Sequence, residues 1–514
     1  MTTAEPTIPL NNPRGWCIIA AIMLSTIMEI LDTTIVNVSL PHMMGSLSAD
    51  RDQISWVLTS YIVAAGVLMP LTGFLVGRFG SKNLLLINII GFMTASTLCG
   101  FSTNLTEIVF FRLLQGVFGA SLVPLSQFIL RNTFSPEDQP KAMAIWGIGV
   151  MTAPIMGPTL GGIITEGLNW RWVFFINIPV CIINFFLVLS FIKQSPIRKT
   201  VIDWTGMILI IVSIGAFQLF LDRGEVDDWF SSTTICVMFF TFIITFTFFL
   251  IHSLTTKEPI INVRLFKDRT FALGTLMMSL FGAAMLGCLT LQPQMLETLF
   301  GYSSDLAGNS MAPRGIASAI MMGIASKLIS RGVKTRWVIC FGTLLCAYTT
   351  WALSWISLDT SMKVILALGF VQGLGMGCFF MPLSTIVYST LPRNSIAEAS
   401  GLFSFGRSIG NAIGISLLTT FIDRDTQINW HNLSAHVQPT NPNFIHWLNV
   451  QQLSLTDPHT YARLANEISS QATFLAYLHA YKLAALILFS ALFLAILLNP
   501  PRMKEPEGAA SLAH

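Results

Sequence analysis

Charge is what this sequence has least of. Only 11% of its 514 residues are Asp, Glu, Lys or Arg, against roughly 25% in soluble domains. That shortfall excludes an ordinary water-soluble globule. The net charge of +3 is too small to argue for a nucleic-acid partner. Cysteines are few as well. The eight of them, at 17, 99, 181, 236, 288, 340, 346 and 378, lie in or beside apolar runs, and none forms a C-x-x-C pair. This excludes a disulfide framework and a cysteine metal site, and leaves them as small apolar packing residues. There is no G-x-x-x-x-G-K-[ST] loop and no soluble domain to hold one, so an ATP-driven pump is excluded. No nucleophile or metal cluster gathers at one interface, which argues against an enzyme and implies no cofactor. Five of the eight histidines fall within 423–479, but their spacing fits no tight ligand motif, so no metal is expected.

Apolar residues are abundant instead, at 53%. A helix needs about 20 of them in a row to cross a bilayer. Fourteen runs qualify, near 16–40, 54–76, 84–102, 106–130, 142–165, 172–192, 204–221, 231–251, 271–296, 308–328, 337–356, 362–390, 401–422 and 480–499. The tenth is interrupted by Pro313, Arg314 and Gly315. The first is too long for a signal-peptide core and reads as a retained span. The expected fold class is an all-α polytopic membrane protein embedded in a lipid bilayer. Lys and Arg set the orientation. With the N-terminus inside, the inside segments gather Arg14, Arg78, Lys82, Arg131, Lys141, Lys193, Arg198, Lys199, Lys257, Arg264, Lys267, Arg269, Lys327, Arg331, Lys334, Arg336, Arg393, Arg502 and Lys504. The short outside loops hold only Arg51, Arg171, Arg223 and Lys363. Both termini are therefore expected to be cytoplasmic.

The halves repeat each other. Gln115-Gly116 aligns with Gln372-Gly373, Pro124-Leu125-Ser126 with Pro382-Leu383-Ser384, and Pro136 with Pro392, at an offset of about 257 residues. Such repeats mark many secondary transporters, whose site lies at the midplane between them. The expected organisation is a six-helix bundle over 1–200, two inserted helices over 201–255 and a second six-helix bundle over 256–514. A long outside loop, 423–479, interrupts the last bundle and could dock a partner.

Two acids stand on the first span. Glu29 and Asp32 lie three residues apart and share one helical face. An acid at mid-membrane costs about 2.5–3.5 kcal/mol on insertion scales, and such a residue is a functional candidate. The other intramembrane or span-end charges are Arg112, Asp222, Arg223, Arg314 and Arg407. Asn37, Gln115 and Gln127 are polar residues expected to meet substrate alongside Glu29. Arg112 is expected at or just inside the membrane boundary, where an interfacial anchor is the alternative reading.

Several stretches resemble the major facilitator superfamily. Gly73 to Asn83, G-F-L-V-G-R-F-G-S-K-N, is similar to its loop signature G-x-L-x-D-R-x-G-R-K, with Gly77 and Ser81 departing from it. Arg112-Leu113-Leu114-Gln115-Gly116 resembles R-x-x-Q-G, and Gly157-Pro158-Thr159-Leu160-Gly161-Gly162 resembles the antiporter ending G-P-x-x-G-G. Leu31 to Pro41, L-D-T-T-I-V-N-V-S-L-P, is similar to L-D-x-T-I-V-N-V-A-L-P of the fourteen-span drug:proton antiporters. Phe175-Ile176-Asn177-Ile178-Pro179, Leu221-Asp222-Arg223-Gly224 and Ala312-Pro313-Arg314-Gly315 add to it. The long loop is a feature of the EmrB-type branch.

The resemblance implies two six-helix bundles plus two extra helices, and a proton-driven multidrug efflux antiporter in the bacterial inner (cytoplasmic) membrane. It would export small amphipathic drug-like compounds with a periplasmic membrane-fusion adaptor and an outer-membrane channel. Under it, Asp32 is the main proton carrier and Arg112 its charge partner. Glu29 is a second carrier or a site for cationic substrate. Gly73, Arg78 and Gly80 belong to a gating turn, and Pro154, Gly157, Pro158, Gly161 and Gly162 to the antiporter motif. Export of an endogenous metabolite, such as a siderophore or fatty acid, would use the same motifs. A non-transport membrane protein is the further alternative.

Overall fold

The structure is a computed structural model that describes residues 9–10, 12–135, 137–197, 202–392, 395–438, 440–451 and 458–498. Of the orienting cations, Arg198, Lys199, Arg393, Arg502 and Lys504 lie outside the described residues, as do Pro136 and the 200/201 boundary.

Fourteen long helices stand where the apolar runs are: α1 (Pro13–Leu47), α2 (Trp56–Phe79), α3 (Ser81–Phe101), α4 (Leu105–Thr133), α5 (Gln139–Gly167), α6 (Trp172–Phe191), α7 (Trp204–Arg223), α8 (Thr233–Thr255), α9 (Arg269–Thr298), α10 (Ala312–Ser330), α11 (Thr335–Leu353), α12 (Met362–Ile386), α13 (Ile396–Ser434) and α14 (Pro458–Leu497). There is no β-sheet among the described residues. Among the described residues, ten helices are long and apolar enough to cross a membrane, and α5, bent by 44°, makes up to eleven. Helices α10, α11 and α13 are more polar and fall short of that test. The chain is a multi-pass membrane protein.

Local chemistry sets the helix ends. Asn12, Asn104 and Asp268 cap α1, α4 and α9 by accepting hydrogen bonds from Arg14, Glu107 and Phe271 amides, which satisfies donors that a helix start leaves free. Gly80, at φ +74°, turns the chain between α2 and α3 in a conformation that favours glycine. Pro313 does not break the tenth span: it sits in the first turn of α10, where its missing N–H costs nothing. The 423–479 segment, expected as a loop, is largely helix. Helix α13 runs on to Ser434, a short helix covers Pro442–Val450, and α14 starts at Pro458.

Short connections make successive helices antiparallel, so α1 begins and α14 ends at one face, here the proximal face. Helices α1–α6 pack as one group and α9–α14 as another. Helix α7 packs on both α2 and α13, and α8 packs on α7. Helix α8 leaves Phe240, Ile244, Phe248 and Ile251 exposed, the apolar surface that lipid solvates.

Candidate functional site

The acids of α1 face the interior of the first group. Asp32 is fully buried and so is Arg112. Their charged atoms meet at 2.6 Å. The same Arg112 Nη1 donates to Gln115 Oε1 at 2.9 Å, and Nε donates to the Val57 carbonyl at 3.0 Å. The second Asp32 oxygen accepts from Gln115 Nε2 and from Asn177 Nδ2, each at 2.9 Å. Asn177 is held in turn by Ser96 Oγ at 3.0 Å, whose hydroxyl donates to the Phe174 carbonyl at 2.9 Å. The guanidinium lies 4.3 Å from the centre of the Tyr61 ring, a cation–π contact. A buried carboxylate is tolerable only when paired and hydrogen-bonded, and five helices (α1, α2, α3, α4 and α6) supply this network.

This corrects the expectation for Arg112. It is not an interfacial anchor. The α1 carboxylate draws the guanidinium inward, because an ion pair stabilises a charge that snorkelling would otherwise expose. Gln115 likewise belongs to the Asp32 shell. Asn177 has no local mark of this role in the sequence, because an amide in an apolar run carries no charge signal to find it by.

Glu29 lies one turn toward the proximal face. It is 8% exposed, and its carboxylate accepts no hydrogen bond among the described residues. Its electrostatic neighbours are Asp32 and Arg407 of α13, in the opposite group. Arg407 itself is half-buried. Glu29 thus faces the seam between the groups, whereas Asp32 faces away from it. Asn37 is exposed on α1.

The antiporter-like motif packs onto the same stretch of α1. A Cβ at Gly157 would overlap Thr34, and one at Gly161 would come within 2.9 Å of the Ile35 carbonyl. Gly162 has open space around it. Pro154 and Pro158 both lie inside α5, where a proline removes a backbone hydrogen bond and promotes a kink.

At the proximal face the two groups are joined. The Tyr388 hydroxyl donates to Gln127 Oε1 at 2.6 Å, and both side chains are buried. Arg131 donates to the Thr385 carbonyl and lies 4.9 Å from the Tyr388 ring. Gly73 abuts Glu398 of α13 so closely that a Cβ would fall 2.5 Å from its Cα. Gln127 is thus engaged in an inter-group bond, and Arg78 is exposed at the proximal end of α2. Arg314 is buried on α10 and donates to Gln292 Oε1 of α9 at 2.6 Å. Asp222 accepts from the Thr59 hydroxyl, and Arg223 pairs with Asp227 at 3.6 Å.

The family model of the Major Facilitator Superfamily matches residues 22–415. The chain belongs to the major facilitator superfamily. Its relatives are of the EmrB type. Multidrug export protein EmrB of Escherichia coli strain K12 is 34% identical over 499 residues, covering 96% of this chain and 97% of the relative. Fatty acid resistance protein FarB of Neisseria gonorrhoeae is 34% identical over 503 residues, covering 97% and 99%. The human organic anion transporter MFSD10 (TETRAN) superposes with a TM-score of 0.59 at 14% identity, over 93% of this chain and 100% of that one; this likeness concerns the fold alone. A major facilitator chain is a transporter, not an enzyme.

Proposed function

We propose that this chain is a proton-driven exporter of amphipathic toxic compounds that works by alternating access. It resides in a bacterial inner membrane with its proximal face cytoplasmic, and works with a periplasmic adaptor and an outer-membrane channel. The observation that carries the reading is the buried, hydrogen-bonded Asp32–Arg112–Gln115–Asn177 cluster beside Glu29, whose carboxylate at the seam accepts no hydrogen bond among the described residues.

The chemistry follows from that contrast. Protonating Asp32 neutralises it and weakens its attraction to Arg112, so the shell holding α1 to α4 and α6 loosens. Deprotonation restores the pair. Because α5 packs by Gly157 and Gly161 directly on α1, a shift of α1 is transmitted to α5 and to the seam. Glu29 supplies the negative charge that a cationic substrate meets there. Asn37 adds a polar contact on the same helix. The proximal contacts of Gln127, Arg131 and Gly73 close the cytoplasmic side. They must part when the transporter loads substrate, with the Gly73–Arg78–Gly80 turn at the moving edge.

The divisions 1–200 and 256–514 are the two units that move against each other in this scheme, 201–255 is inserted between them, and the 423–479 segment is the adaptor-facing element. Similarity to EmrB, a multidrug export protein by name, supports drug-like substrates. Similarity to FarB favours a second reading, a fatty acid as substrate.

A growth panel of diverse toxic compounds and long-chain fatty acids, with and without the protein, tests this. Resistance should be lost when the proton gradient is collapsed. Resistance that survives collapse would rule out proton-driven export.

A further inference from the structure

Helices α7 and α8 stand outside both six-helix groups, and the exchange scheme makes no use of them. Helix α7 packs extensively on α2; Gly66 of α2 leaves the space that Ile214 and Gln218 fill, 3.8 and 3.9 Å from where a Cβ would be. Its contact with α13 is narrower and lies toward its distal end.

There, residues between Phe220 and Glu225 reach both groups. Toward α2, Asp222 accepts from Thr59, and the Arg223 guanidinium lies 5.7 Å from the Trp56 ring centre. Toward α13, the Ser416 hydroxyl donates to the Leu221 carbonyl at 2.9 Å, and Ala412 packs against the cluster that Phe220 and Leu221 form with Ile235. Just past the helix end, the Glu225 carboxyl stands against that of Asp423. These contacts straddle the distal seam between α2 and α13. Alternating access changes the width of that seam, so one set must break when the distal side closes. The smaller set, on α13, is the one to yield.

We propose that α7 is a strap across the distal seam that travels with the first group and grips α13 only while the distal side is open, with Glu225 and Asp423 as a proton-dependent clasp. The proposal rests on the alternating-access reading. Two carboxyl groups share a hydrogen bond only when one of them holds a proton; doubly ionised, they repel. Burial and the Asp423 carboxyl beside it raise the Glu225 pKa from 4.5 to about 8. The sign follows: the clasp is made below that value and is lost as the distal pH rises through it.

Three of the other charged groups at this corner have partners. Arg223 is taken up by Asp227 and Trp56, Asp222 by Thr59, and Asp425 of α13 by His479 of α14 at 2.7 Å. Asp228 follows Asp227 on the α7 side, Arg424 adjoins Asp423 on α13, and Tyr477 of α14 lies within electrostatic reach of Asp423.

The test measures the width of the distal seam. Spin labels are placed at Gln53 and Gln427, exposed residues near the distal ends of α2 and α13, with Cys17 and Cys236 replaced by serine. The full-length protein is studied in lipid nanodiscs from pH 6 to pH 9.5, without substrate and with a cationic drug. The expected result is a long separation at pH 6 that gives way to a shorter one around pH 8. Glu225→Gln should keep the long separation throughout, because its amide donates to Asp423 at every pH. Glu225→Ala should favour the short one even at pH 6. If Glu225→Gln titrates as the parent does, or if the parent switches with drug but not with pH, the strap is wrong while alternating access stands. If no condition or variant produces a second separation, alternating access itself fails.

Discussion

The two six-helix groups share one packing solution and place their charges differently. Gly116 of α4 lets the chain close on α2, with Ala64 Cβ 3.0 Å from where its Cβ would be and the Tyr61 carbonyl closer still. Gly373 of α12 does the same on α10, with Ala317 Cβ at 2.9 Å and the Arg314 carbonyl closer still. Tyr61 and Arg314 therefore hold equivalent places, and Gly369 stands where Arg112 does. The cation has moved one helix over, from α4 in the first group to α10 in the second. In each group it still donates at 2.6 Å to a side chain of the leading helix: the Asp32 carboxylate in one, the Gln292 amide oxygen in the other. Each group buries a guanidinium bonded to a side-chain oxygen, and the two differ in whether that oxygen belongs to an acid. Only the first group has one.

That contrast can be broken from its strong end. Arg112→Gln strands the Asp32 carboxylate in a dry site, a loss of about 3–5 kcal/mol for a broken buried pair. Arg314→Gln strands only a neutral amide, at about 1–3 kcal/mol. Thermal unfolding in detergent should therefore show a clearly larger drop in midpoint for the first. Equal drops would mean that the two sites are energetically alike.

The amides come next. Gln115→Leu removes a hydrogen bond to a charged oxygen, about 1.5–3 kcal/mol, whereas Gln372→Leu removes a neutral one to Thr350 (2.9 Å), about 1 kcal/mol. Denaturation of the two variants side by side reads the difference. The shared packing supplies the control: Gly116→Ala and Gly373→Ala should destabilise alike, by about 1–3 kcal/mol each. A large disparity would show that the groups are not packed equivalently. Smallest is Gly162→Ala on open space, expected within about 0.5 kcal/mol of the parent and with transport intact; Gly157→Ala beside it, against Thr34, should lose most transport.

Much of this architecture is legible in the sequence. Apolar runs locate the helices, and the Gly73 to Asn83 signature locates the turn between α2 and α3. Asp32 stands out because a buried acid is costly, and Gln115-Gly116 because it recurs in Gln372-Gly373. What is hidden is what only packing decides. Helix α13 beyond Ile422 is polar, so it reads as loop although it stays helical. Arg112 lies near the start of its helix, and its depth depends on an acid 80 residues earlier. Asn177, Tyr388 and Gln292 are uncharged, and nothing local marks the partners they find. Gln127 is expected to meet substrate, yet its bonding partner lies 261 residues away, beyond any local pattern.

The central claim is that protons drive export through Asp32. The most direct measurement compares the parent with Asp32→Asn in proteoliposomes, reading both substrate counterflow at equal pH and substrate accumulation driven by an imposed pH gradient. Counterflow should persist in Asp32→Asn, showing a folded and mobile transporter, while gradient-driven accumulation falls to the level of empty liposomes. Undiminished gradient-driven accumulation in that variant would contradict the claim.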